Sequence, residues 1–412
     1  ALHAETKAGG KAKGRAGAKA SESEVERIRA LPYVDFVEGD TGETKTGVTI
    51  SVAGRFQEGY TLVTHRGLCR TDLIDAAGSV VHTWVRTPCH HWDRAELLPG
   101  GDLLVMAMDP LEGSTPENFD AHSELMKLSW DGRLIEQMHG PIHHSFQALP
   151  DGRILTLTVH ARRVPAIDPN VDIRDESVAI LDTGWKIEEE LSLYDVLAAG
   201  GSGFHLQMAG RSLLKRIGAI DLIHSNNVEM MPFEALAGKD AVHSSSSVLV
   251  TLRHQDALVV IDLKTRKLVW AWGQNDLLGP HDGTWLANGN ILVFDNGTVR
   301  HWSRVVEVDP SADRIVWQYK APTPTDLFTR TNGGAQRLPD GNTLITETNK
   351  GRGFEVTPGG EVVWKYVDPR TDASGRRSSL MKLLRLDTGY VQKAMAAGEK
   401  GAAAGKAPQQ AP

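Results

Sequence analysis

A phrase that recurs along the chain constrains the fold most strongly. In each copy an apolar residue, a Pro or Ala, a polar residue and a Gly precede an apolar run, as a tight turn precedes a strand. Clear copies occupy residues 97–106, 148–158, 285–294 and 337–348, and a degenerate copy occupies residues 228–238. A phrase repeated at this period predicts that one structural unit occurs several times.

A second phrase closes each unit with a turn and a β-rich strand that often carries Trp. Its copies lie at residues 78–85, 132–138, 185–193, 266–273, 313–320 and 360–367. One further strand lies between the two phrases, so each unit holds about four short strands. Such units repeated about an axis predict an all-β fold, a six-bladed β-propeller with four-stranded blades. A tandem of β-sandwiches is the alternative.

The repeat also predicts the limits of the propeller. We expect it to span residues 47–368, with the first unit starting near Gly47. Residues 193–223 have helix-like spacing, and we expect this helical insertion in the fourth unit to lie on one face, where it could wall a pocket. Ala-, Gly- and Lys-rich composition indicates a disordered or weakly helical arm at residues 1–30. The segment 369–412 is expected to end in a low-complexity tail.

Composition argues against several classes of function. The 412 residues carry a net charge of −7, which is mild and spread out, so a nucleic-acid partner is not expected. No apolar run reaches the length of a transmembrane helix. The sequence starts at Ala1 without Met, so we expect that a secretory signal has been removed. Cys69 and Cys89 lie in neighbouring strand-like segments and could pair, but the sequence does not give their distance.

Histidines recur at one level of the predicted propeller. The first strand of each blade lines the central channel, and the loops that enter these strands converge at one end of it. Turn chemistry alone favours Asn, Asp or Gly in such loops, so repeated histidines predict a site. The residues at this level are His90, His91, His143, His144, His224 and His281, with Arg330 and Asn332 in the sixth unit.

Two kinds of site fit a ring of imidazoles. Neutral imidazoles can hold a metal, whereas imidazoles beside a cation can bind an anion and perform nucleophilic or acid–base catalysis. Arg253 favours the anion site, because a guanidinium repels a metal cation and matches an oxyanion. Asp93 and Asp282 keep the metal site open. The anion site is the expected one, so no metal is assigned. We expect no cofactor, since the sequence contains no glycine-rich phosphate-binding loop.

The motifs around these histidines resemble the bacterial arylsulfate sulfotransferases over residues 47–368. The order of an HxN motif, an RHQ motif and an HD pair before NGNxLxFDNG is specific. The resemblance implies a six-bladed propeller, which agrees with the count from the repeats. The segments that carry it include HHSFQALPDGRIL (143–155), DLIHSNNVEMM (221–231), TLRHQDALVVIDL (251–263) and GPHDGTWLANGNILVFDNG (279–297).

The resemblance implies a catalytic role for several matching residues. His281 would be the nucleophile that attacks sulfur, expels a phenolate and carries the sulfuryl group until a phenol takes it, in a ping-pong reaction. His224 and Arg253 would bind the sulfuryl oxygens. His144, or with a register one residue different His143, would act as acid and base on the phenolic oxygen.

Further residues are expected to bind the substrate or orient the histidines. Asn226 and Asn296 would orient the histidines, and Trp92 could stack on an aromatic ring or belong to the core. The expected substrate-binding residues are His143, His91, Asn226, Trp92, Arg330 and Asn296.

Departures from the family pattern leave three functions open. Ser145 stands where the family often has Asp. We also expect no room for the separate N-terminal β-domain that contributes to the dimer of the best-known members. The first function is sulfuryl transfer between phenolic compounds without a phosphorylated sulfate donor. The second is a lyase or hydrolase acting on a phenolic or glycosidic substrate, and the third is a non-catalytic, ligand-binding propeller. The expected partners are small aromatic molecules, and a homodimer is left open. The expected location is the periplasm or outside the cell.

Overall fold

Six antiparallel sheets surround a central channel. The computed structural model describes residues 35–37, 42–87, 89, 91–108, 123–211 and 218–405. Within these residues each sheet has one strand that contacts the matching strands of its neighbours, and these inner strands line the channel. The predicted six-bladed β-propeller with four-stranded blades is therefore confirmed.

Blades 1 to 3 are formed, from the channel outward, by the following strands. Blade 1 contains β25 (Leu380–Leu386), β2 (Tyr60–His65), β3 (Arg70–Ile74) and β4 (Val80–Val85). Blade 2 contains β5 (His91–Leu97), β6 (Leu103–Met108), β7 (Ser123–Leu128) and β8 (Leu134–Gly140). Blade 3 contains β9 (Ile142–Ala148), β10 (Ile154–Arg163), β11 (Asp172–Leu181) and β12 (Ile187–Ser192).

Blades 4 to 6 follow the same order. Blade 4 contains β13 (Ser225–Met230), β14 (Ser247–Leu252), β15 (Ala257–Asp262) and β16 (Lys267–Trp272). Blade 5 contains β17 (His281–Trp285), β18 (Ile291–Asp295), β19 (Arg304–Asp309) and β20 (Arg314–Tyr319). Blade 6 contains β21 (Gly334–Arg337), β22 (Thr343–Glu347), β23 (Arg352–Val356) and β24 (Val362–Val367), and β1 (Gly47–Ser51) pairs with β24 as a fifth, outermost strand.

The burial of each strand follows from its position in the blade. Every residue of β14, β15 and β18 is buried, because the middle strands pack against neighbouring blades on both faces. The outer strand β20 alternates between exposed and more buried residues, because only one of its faces meets another blade. Apolar side chains of adjacent blades therefore form the core between the blades.

The ring closes differently from the expectation that the first unit starts near Gly47. β1 is an edge strand of blade 6, where Gly47 pairs with Val367. The inner strand of blade 1 is β25, which pairs with β2 and lies beyond residue 368. Joining the two ends of the chain in one sheet closes the propeller, and a local repeat gives no signal for this long-range pairing.

The insertion at residues 193–223 contains less helix than its spacing indicates. Among its described residues only α1 (Leu193–Ala198) is an α-helix, and the Ser192 side chain caps it by accepting from Asp195 N at 3.1 Å. Gly200 and Gly201 follow with positive φ, which ends the helix. Gln255 Nε2 donates to Gln207 O at 3.0 Å, which ties the insertion to the loop after β14.

The C-terminal segment is more ordered than its low-complexity composition indicates. α2 (Thr388–Gly405) packs Val391 and Ala394 into the core of blades 1 and 2. Tyr390 Oη donates to Leu97 O at 2.6 Å. Gly398 lies so close to Trp130 that a Cβ would be 2.6 Å from the Trp130 Cβ. Small residues therefore allow the helix to approach the blades, and residues 406–412 lie outside the described part.

Two further features concern the sequence predictions. Cys69 and Cys89 form a disulfide with a Cα–Cα distance of 6.3 Å, which joins the turn after β2 to the segment that leads into β5. Within the described ranges, no helix combines the length and the apolar character needed to cross a membrane. The arm expected at residues 1–30 lies outside the described residues.

Candidate active site

A break in strand pairing marks the start of most inner strands. The pairing register shifts in β5, β9, β13, β17 and β25 near the end at which each strand enters the channel. In blades 3 to 6 a residue at this level has left-handed backbone. These residues are His144, His224, Asp282 and Asn332, with φ values of 59°, 51°, 55° and 58°. Bulges of this kind turn side chains away from the sheet, and they are common beside active sites.

The histidines of the different blades do not all occupy the same position in the bulge. His144 and His224 occupy the left-handed position itself, like Asp282 in blade 5. His281 lies one residue before that position, as His143 does in blade 3. The histidines therefore share one level of the channel, but they occupy two backbone positions and present their rings differently.

The hydrogen bonds of His281 determine its tautomer. Nδ1 lies 2.7 Å from Asn296 Oδ1 and 3.1 Å from Gly279 O. The Asn296 amide is oriented by its Nδ2, which donates to Thr329 O at 2.9 Å and to Asn332 O at 2.6 Å. Both groups facing Nδ1 are acceptors, so Nδ1 carries the proton. Nε2 is then the unprotonated, nucleophilic nitrogen.

His224 lies between a carboxylate and a guanidinium. Its Nδ1 is 2.5 Å from Asp221 Oδ2, and its Nε2 is 3.3 Å from Arg253 Nη1. The carboxylate accepts and the guanidinium donates, so Nδ1 is protonated and Nε2 accepts. The arrangement aligns a neutral imidazole with a buried cation at the channel mouth.

The tautomers of His143 and His144 in blade 3 also follow from their hydrogen bonds. His143 Nε2 lies 3.3 Å from Thr158 O, so it is protonated, and His143 Nδ1 must accept. His144 Nδ1, 2.8 Å from His143 Nδ1, therefore donates. The Nε2 of His144 is left unprotonated and able to act as a base. The His144 ring packs edge-to-face against the His224 ring at 5.2 Å.

Burial keeps these imidazoles neutral near pH 7. Burial lowers the pKa of His281 well below its usual value, and Arg253 lowers it further. Burial likewise lowers the pKa of His144 well below its usual value and that of His143 to about 3. It also lowers the pKa of His224, although the Asp221 carboxylate opposes the shift. A neutral imidazole is the form that can act as a nucleophile or base.

Other residues expected at the site surround this group. Asn226 Nδ2 donates to Pro280 O at 2.8 Å, so Asn226 holds the backbone immediately before His281. Its Oδ1 is buried and has no hydrogen-bond partner within the described residues, so it could accept from a ligand. Arg330 is half-buried and its backbone N–H donates to Asn349 Oδ1 at 2.7 Å.

His91 lies in a charged cluster next to the site. It is buried, with Nε2 3.5 Å from Asp93 Oδ1, and Asp93 pairs with Arg66. Asp282 forms an ion pair with Lys382 at 2.7 Å. The two carboxylates that kept a metal site open are thus both engaged with cations. His90 lies outside the described residues.

The structure contradicts the expectation that Trp92 stacks on a substrate. Its side chain is 0% exposed and packs in the core of blades 1 and 2. Phe146 is also fully buried, between blades 2 and 3. Each side chain points from its inner strand into the interface between blades, because alternate residues of a strand face opposite sides.

Sequence reasoning missed two residues beside the histidines. Asp221 contacts His224 and accepts from His254 Nδ1 through its backbone carbonyl at 2.6 Å. Arg174, on β11, influences the pKa of His143, His144 and Asp221. Asp221 stands three residues before His224 in the DLIHSNN motif, so its position in that motif is the one available signal. No local sequence pattern marks Arg174 as a residue of the candidate site.

Asp221, His224 and His254 are also close enough to consider a metal. Their potential ligand atoms lie within 4.8 Å of one another. However, Asp221 already engages Nδ1 of both histidines, and Arg253 stands 3.3 Å from Nε2 of His224. The contacts describe a carboxylate–imidazole network beside a cation, which suits an anionic ligand.

Comparison with known proteins gives a family and a fold. A model of the Arylsulfotransferase (ASST) family matches residues 94–368, which is more than half of the chain. This range contains the inner strands of blades 3 to 6, together with His143, His144, His224 and His281. No curated protein matches the sequence.

Comparison with solved structures gives matches at low sequence identity. A protein of unknown function from Bacteroides caccae has a TM-score of 0.50 at 14% identity, over 79% of this chain and 98% of that one. An inactive virginiamycin B lyase variant from Staphylococcus aureus, with quinupristin, has a TM-score of 0.45 at 11% identity, over 82% and 89%. The β-propeller domain of Myceliophteria thermophila Cps50 (Swd1) has a TM-score of 0.44 at 13% identity, over 80% and 90%. At this identity the likeness to the Bacteroides caccae protein shows a shared fold alone.

Proposed function

Because the chain belongs to the arylsulfotransferase family, we propose that it moves a sulfuryl group from a phenolic sulfate ester to a phenol through a sulfohistidine at His281. The observation that carries the proposal is the tautomer of His281. Asn296 Oδ1 and Gly279 O both accept from Nδ1, so Nε2 holds the lone pair that attacks sulfur. The family supports arylsulfotransferase-type activity, and the hydrogen bonds support this residue as the nucleophile.

The first half-reaction forms one bond and breaks one. Nε2 of His281 bonds to sulfur while the bond between sulfur and the aryl oxygen breaks, and the electron pair leaves on the phenolic oxygen. Positive charge develops on the ring as Nε2 becomes bonded. Asn296 Oδ1 and Gly279 O stabilise that charge through Nδ1–H, without having to move.

Cationic and donating groups bind the sulfuryl oxygens. Arg253 is 3% exposed and approaches His224 Nε2, so its guanidinium is held at the channel mouth. A guanidinium presents paired donors that match the oxygens of a sulfuryl group. The buried site has a low dielectric, which strengthens this interaction as charge shifts onto the oxygens.

The second half-reaction returns the group to a phenol. His144 Nε2 takes the proton of the acceptor hydroxyl while its oxygen attacks sulfur and the bond to His281 breaks. The imidazolium of His144 can give the same proton to a departing phenolate in the next cycle. The His143–His144 hydrogen bond of 2.8 Å supports His144 over His143 for this role, because it leaves Nε2 of His144 unprotonated.

The solvent exposure of the histidines is relevant to the alternative of a non-catalytic, ligand-binding propeller. His281 is only 4% exposed, whereas the His224 side chain retains 13% exposure and His144 is half-buried. Entry is therefore restricted, as expected for a reactive intermediate that water must not hydrolyse. We also place the protein in the periplasm or outside the cell, because the Cys69–Cys89 disulfide suits an oxidising environment.

The test is intact-protein mass spectrometry after brief mixing with 4-nitrophenyl sulfate without an acceptor. We expect a gain of one SO3 that disappears when phenol is added and does not form in His281→Ala. His139→Ala serves as the control, because His139 is exposed on the outer strand of blade 2.

Two results would contradict the proposal. If no adduct forms and no nitrophenol is released, simple aryl sulfates are excluded as donors. That result would favour the lyase or hydrolase. An adduct of equal yield in His281→Ala would place the nucleophile elsewhere.

A further inference from the structure

We propose that Asp221 is a positioning residue that fixes the tautomer of His224 and stabilises its protonated form when a sulfuryl group binds. The inference rests on the proposed sulfuryl transfer and deepens it. It assigns a role to a residue whose carboxylate contacts His224.

The contact is short, buried and tied to the segment that carries Arg253. Asp221 Oδ2 lies 2.5 Å from His224 Nδ1, and its side chain is 4% exposed. Its backbone carbonyl accepts from His254 Nδ1 at 2.6 Å. Arg253 N–H donates to His224 O at 3.1 Å, so the two segments are joined on both sides of the site. The backbone that carries Asp221 and His224 is therefore fixed against the Arg253 segment, which keeps the carboxylate close to the His224 ring.

The carboxylate determines which nitrogen of His224 faces the ligand. It accepts from Nδ1, so Nε2 points to Arg253 as an acceptor. A sulfuryl group that enters this gap brings negative oxygens, to which neutral Nε2 cannot donate. His224 becomes a donor only by taking a proton from solvent. The buried imidazolium then needs the Asp221 charge beside it.

A second buried carboxyl group makes Asp221 the charged partner. Glu176 Oε2 accepts from Ser225 N at 2.5 Å and from Ser225 Oγ at 2.7 Å. Burial and the nearby Asp221 charge raise the pKa of Glu176 to about 8. The pKa of Asp221 is instead held well below its usual value, because burial is outweighed by His224, His254 and Arg174. Near pH 7 Glu176 thus keeps its proton and Asp221 carries the negative charge.

Several charged groups surround His224 and act in opposite directions. Burial, Arg253 and Arg174 lower the pKa of His224, and Asp221 raises it. An entering sulfuryl anion adds to the Asp221 contribution, so ligand binding and proton uptake support each other. The titratable and charged groups around His224 are Asp221, Arg253, Arg174, Glu176, His143, His144, His254 and His281.

The test compares pH profiles of kcat for 4-nitrophenyl sulfate with phenol as acceptor, because kcat reports the pKa values of groups in the enzyme–substrate complex. Activity should fall at high pH as His224 in the complex loses its proton. Asp221→Asn keeps an acceptor for Nδ1 but removes the charge, so the alkaline limb should move down by about 1–3 pH units. The acid limb, which reports His281, should stay in place.

Asp240→Asn is the matched control. Asp240 Oδ1 contacts His243 Nδ1 at 2.8 Å with the same spacing of three residues in the sequence. His243 Nε2 bonds to Gly289 O, in the turn between β17 and β18 at the opposite end of the inner strand. Asp240→Asn should leave both limbs unchanged. A purely structural role for Asp221 would lower activity at every pH without moving the alkaline limb more than the control does.

A second measurement covers the case in which Asp221→Asn fails to fold. Nitrogen NMR of the native protein should show His224 protonated at Nδ1 alone without ligand, and at both nitrogens with a sulfate ester bound. Protonation at Nε2 alone in the absence of ligand would overturn the inference.

The failure of this inference can be distinguished from the failure of the proposed function. If the native protein forms no sulfohistidine, the proposed function fails. If it forms the adduct but the limbs of Asp221→Asn and Asp240→Asn coincide, only the role of Asp221 fails.

Discussion

His144 and His224 adopt left-handed backbone, with φ of 59° and 51°. Asn, Asp and Gly tolerate this region best, and Asp282 in blade 5 follows that preference. A histidine held there stores roughly 1–3 kcal/mol of strain, which the surrounding sheet must sustain. The same left-handed position recurs in blades 3 to 6, so the bulge belongs to the repeat and not to one blade. Asn is accordingly the best substitution for removing the imidazole alone.

The first prediction concerns the residue that orients the proposed nucleophile. Asn296→Ala removes the acceptor 2.7 Å from His281 Nδ1, so the ring can turn and exchange tautomers. We expect the rate of adduct formation to fall about 100-fold, as for other misplacements of a reacting group. Quenched-flow mass spectrometry with 4-nitrophenyl sulfate measures this rate. Asn290→Ala is the control, because Asn290 bonds Glu307 at the far end of blade 5. Equal rates for both variants would argue against Asn296 as the orienting group.

The second prediction concerns the proposed base. His144→Asn preserves the left-handed backbone but removes the Nε2 base, so transfer from the adduct to phenol should slow about 10²–10⁴-fold. The loss should be greatest for weakly acidic phenols, because these depend most on proton removal. Adduct formation from 4-nitrophenyl sulfate should change less, since 4-nitrophenolate leaves without a proton. Single-turnover transfer to a series of phenols measures the effect, and an equal loss for all acceptors would count against His144 as base.

At the scale of elements, the blades and α2 follow different rules. The strands follow the alternation and burial expected from their position, because each blade contacts two others. The helix α2 is rich in Ala and Gly, and its composition resembles a disordered tail. It is ordered in the structure because its small residues let Val391 and Ala394 reach the core of blades 1 and 2. Tertiary contact thus decides the conformation of a segment whose local preference is weak.

The third prediction compares two glycines of this helix. A Cβ at Gly398 would lie 2.6 Å from the Trp130 Cβ, whereas a Cβ at Gly401 meets nothing within 4 Å. Gly398→Ala should therefore lower the free energy of unfolding by about 1–3 kcal/mol through overpacking. Gly401→Ala should raise it by about 0.5–1 kcal/mol, because Ala favours the helix. Urea unfolding of both variants measures the difference, and equal effects would show that α2 does not pack against Trp130.

At the scale of the whole molecule, closure joins residues distant in sequence. β25 supplies the inner strand of blade 1, and β1 covers the outer edge of blade 6. Between these blades His65 is fully buried, with Nδ1 2.9 Å from Asp368 Oδ2 and Nε2 3.0 Å from Asp72 Oδ2. Both partners are acceptors, so His65 holds both carboxylates only as an imidazolium. The joint therefore includes the positive charge of His65, beside Arg70 and Arg370, which also pair with these carboxylates.

The fourth prediction follows from that charge. Burial lowers the pKa of His65, but Asp368 and Asp72 outweigh it, and the net pKa is raised. Its contribution to stability is therefore full below about pH 6.5, the unfolded pKa, and is lost as the pH rises through the folded pKa. His65→Gln should remove this part of the pH dependence of unfolding, measured by urea titration between pH 6 and pH 9. His139→Gln is the exposed control, and an unchanged pH dependence in His65→Gln would contradict the role.

The fold could be predicted from the sequence, and so could the grouping of most residues of the candidate site, for identifiable reasons. The turn and closing phrases are local patterns, so they show six units and their strands. The level of the histidines follows from the same repeat, which places His144, His224 and His281 at one end of the channel. Trp92 was ambiguous, because an aromatic residue on an inner strand can face either the channel or the neighbouring blade. The structure places it in the core.

The sequence alone determined the architecture, because hydrophobic alternation and turn chemistry act between neighbours and repeat with each blade. It did not reveal the pairing of β25 with β2, the ordering of α2 or the Cys69–Cys89 bond, because each joins parts of the chain without a shared local pattern. It also could not assign the protons on His281 and His224. A tautomer depends on which acceptors surround a ring, and only the tertiary structure brings Asn296 and Asp221 to those nitrogens.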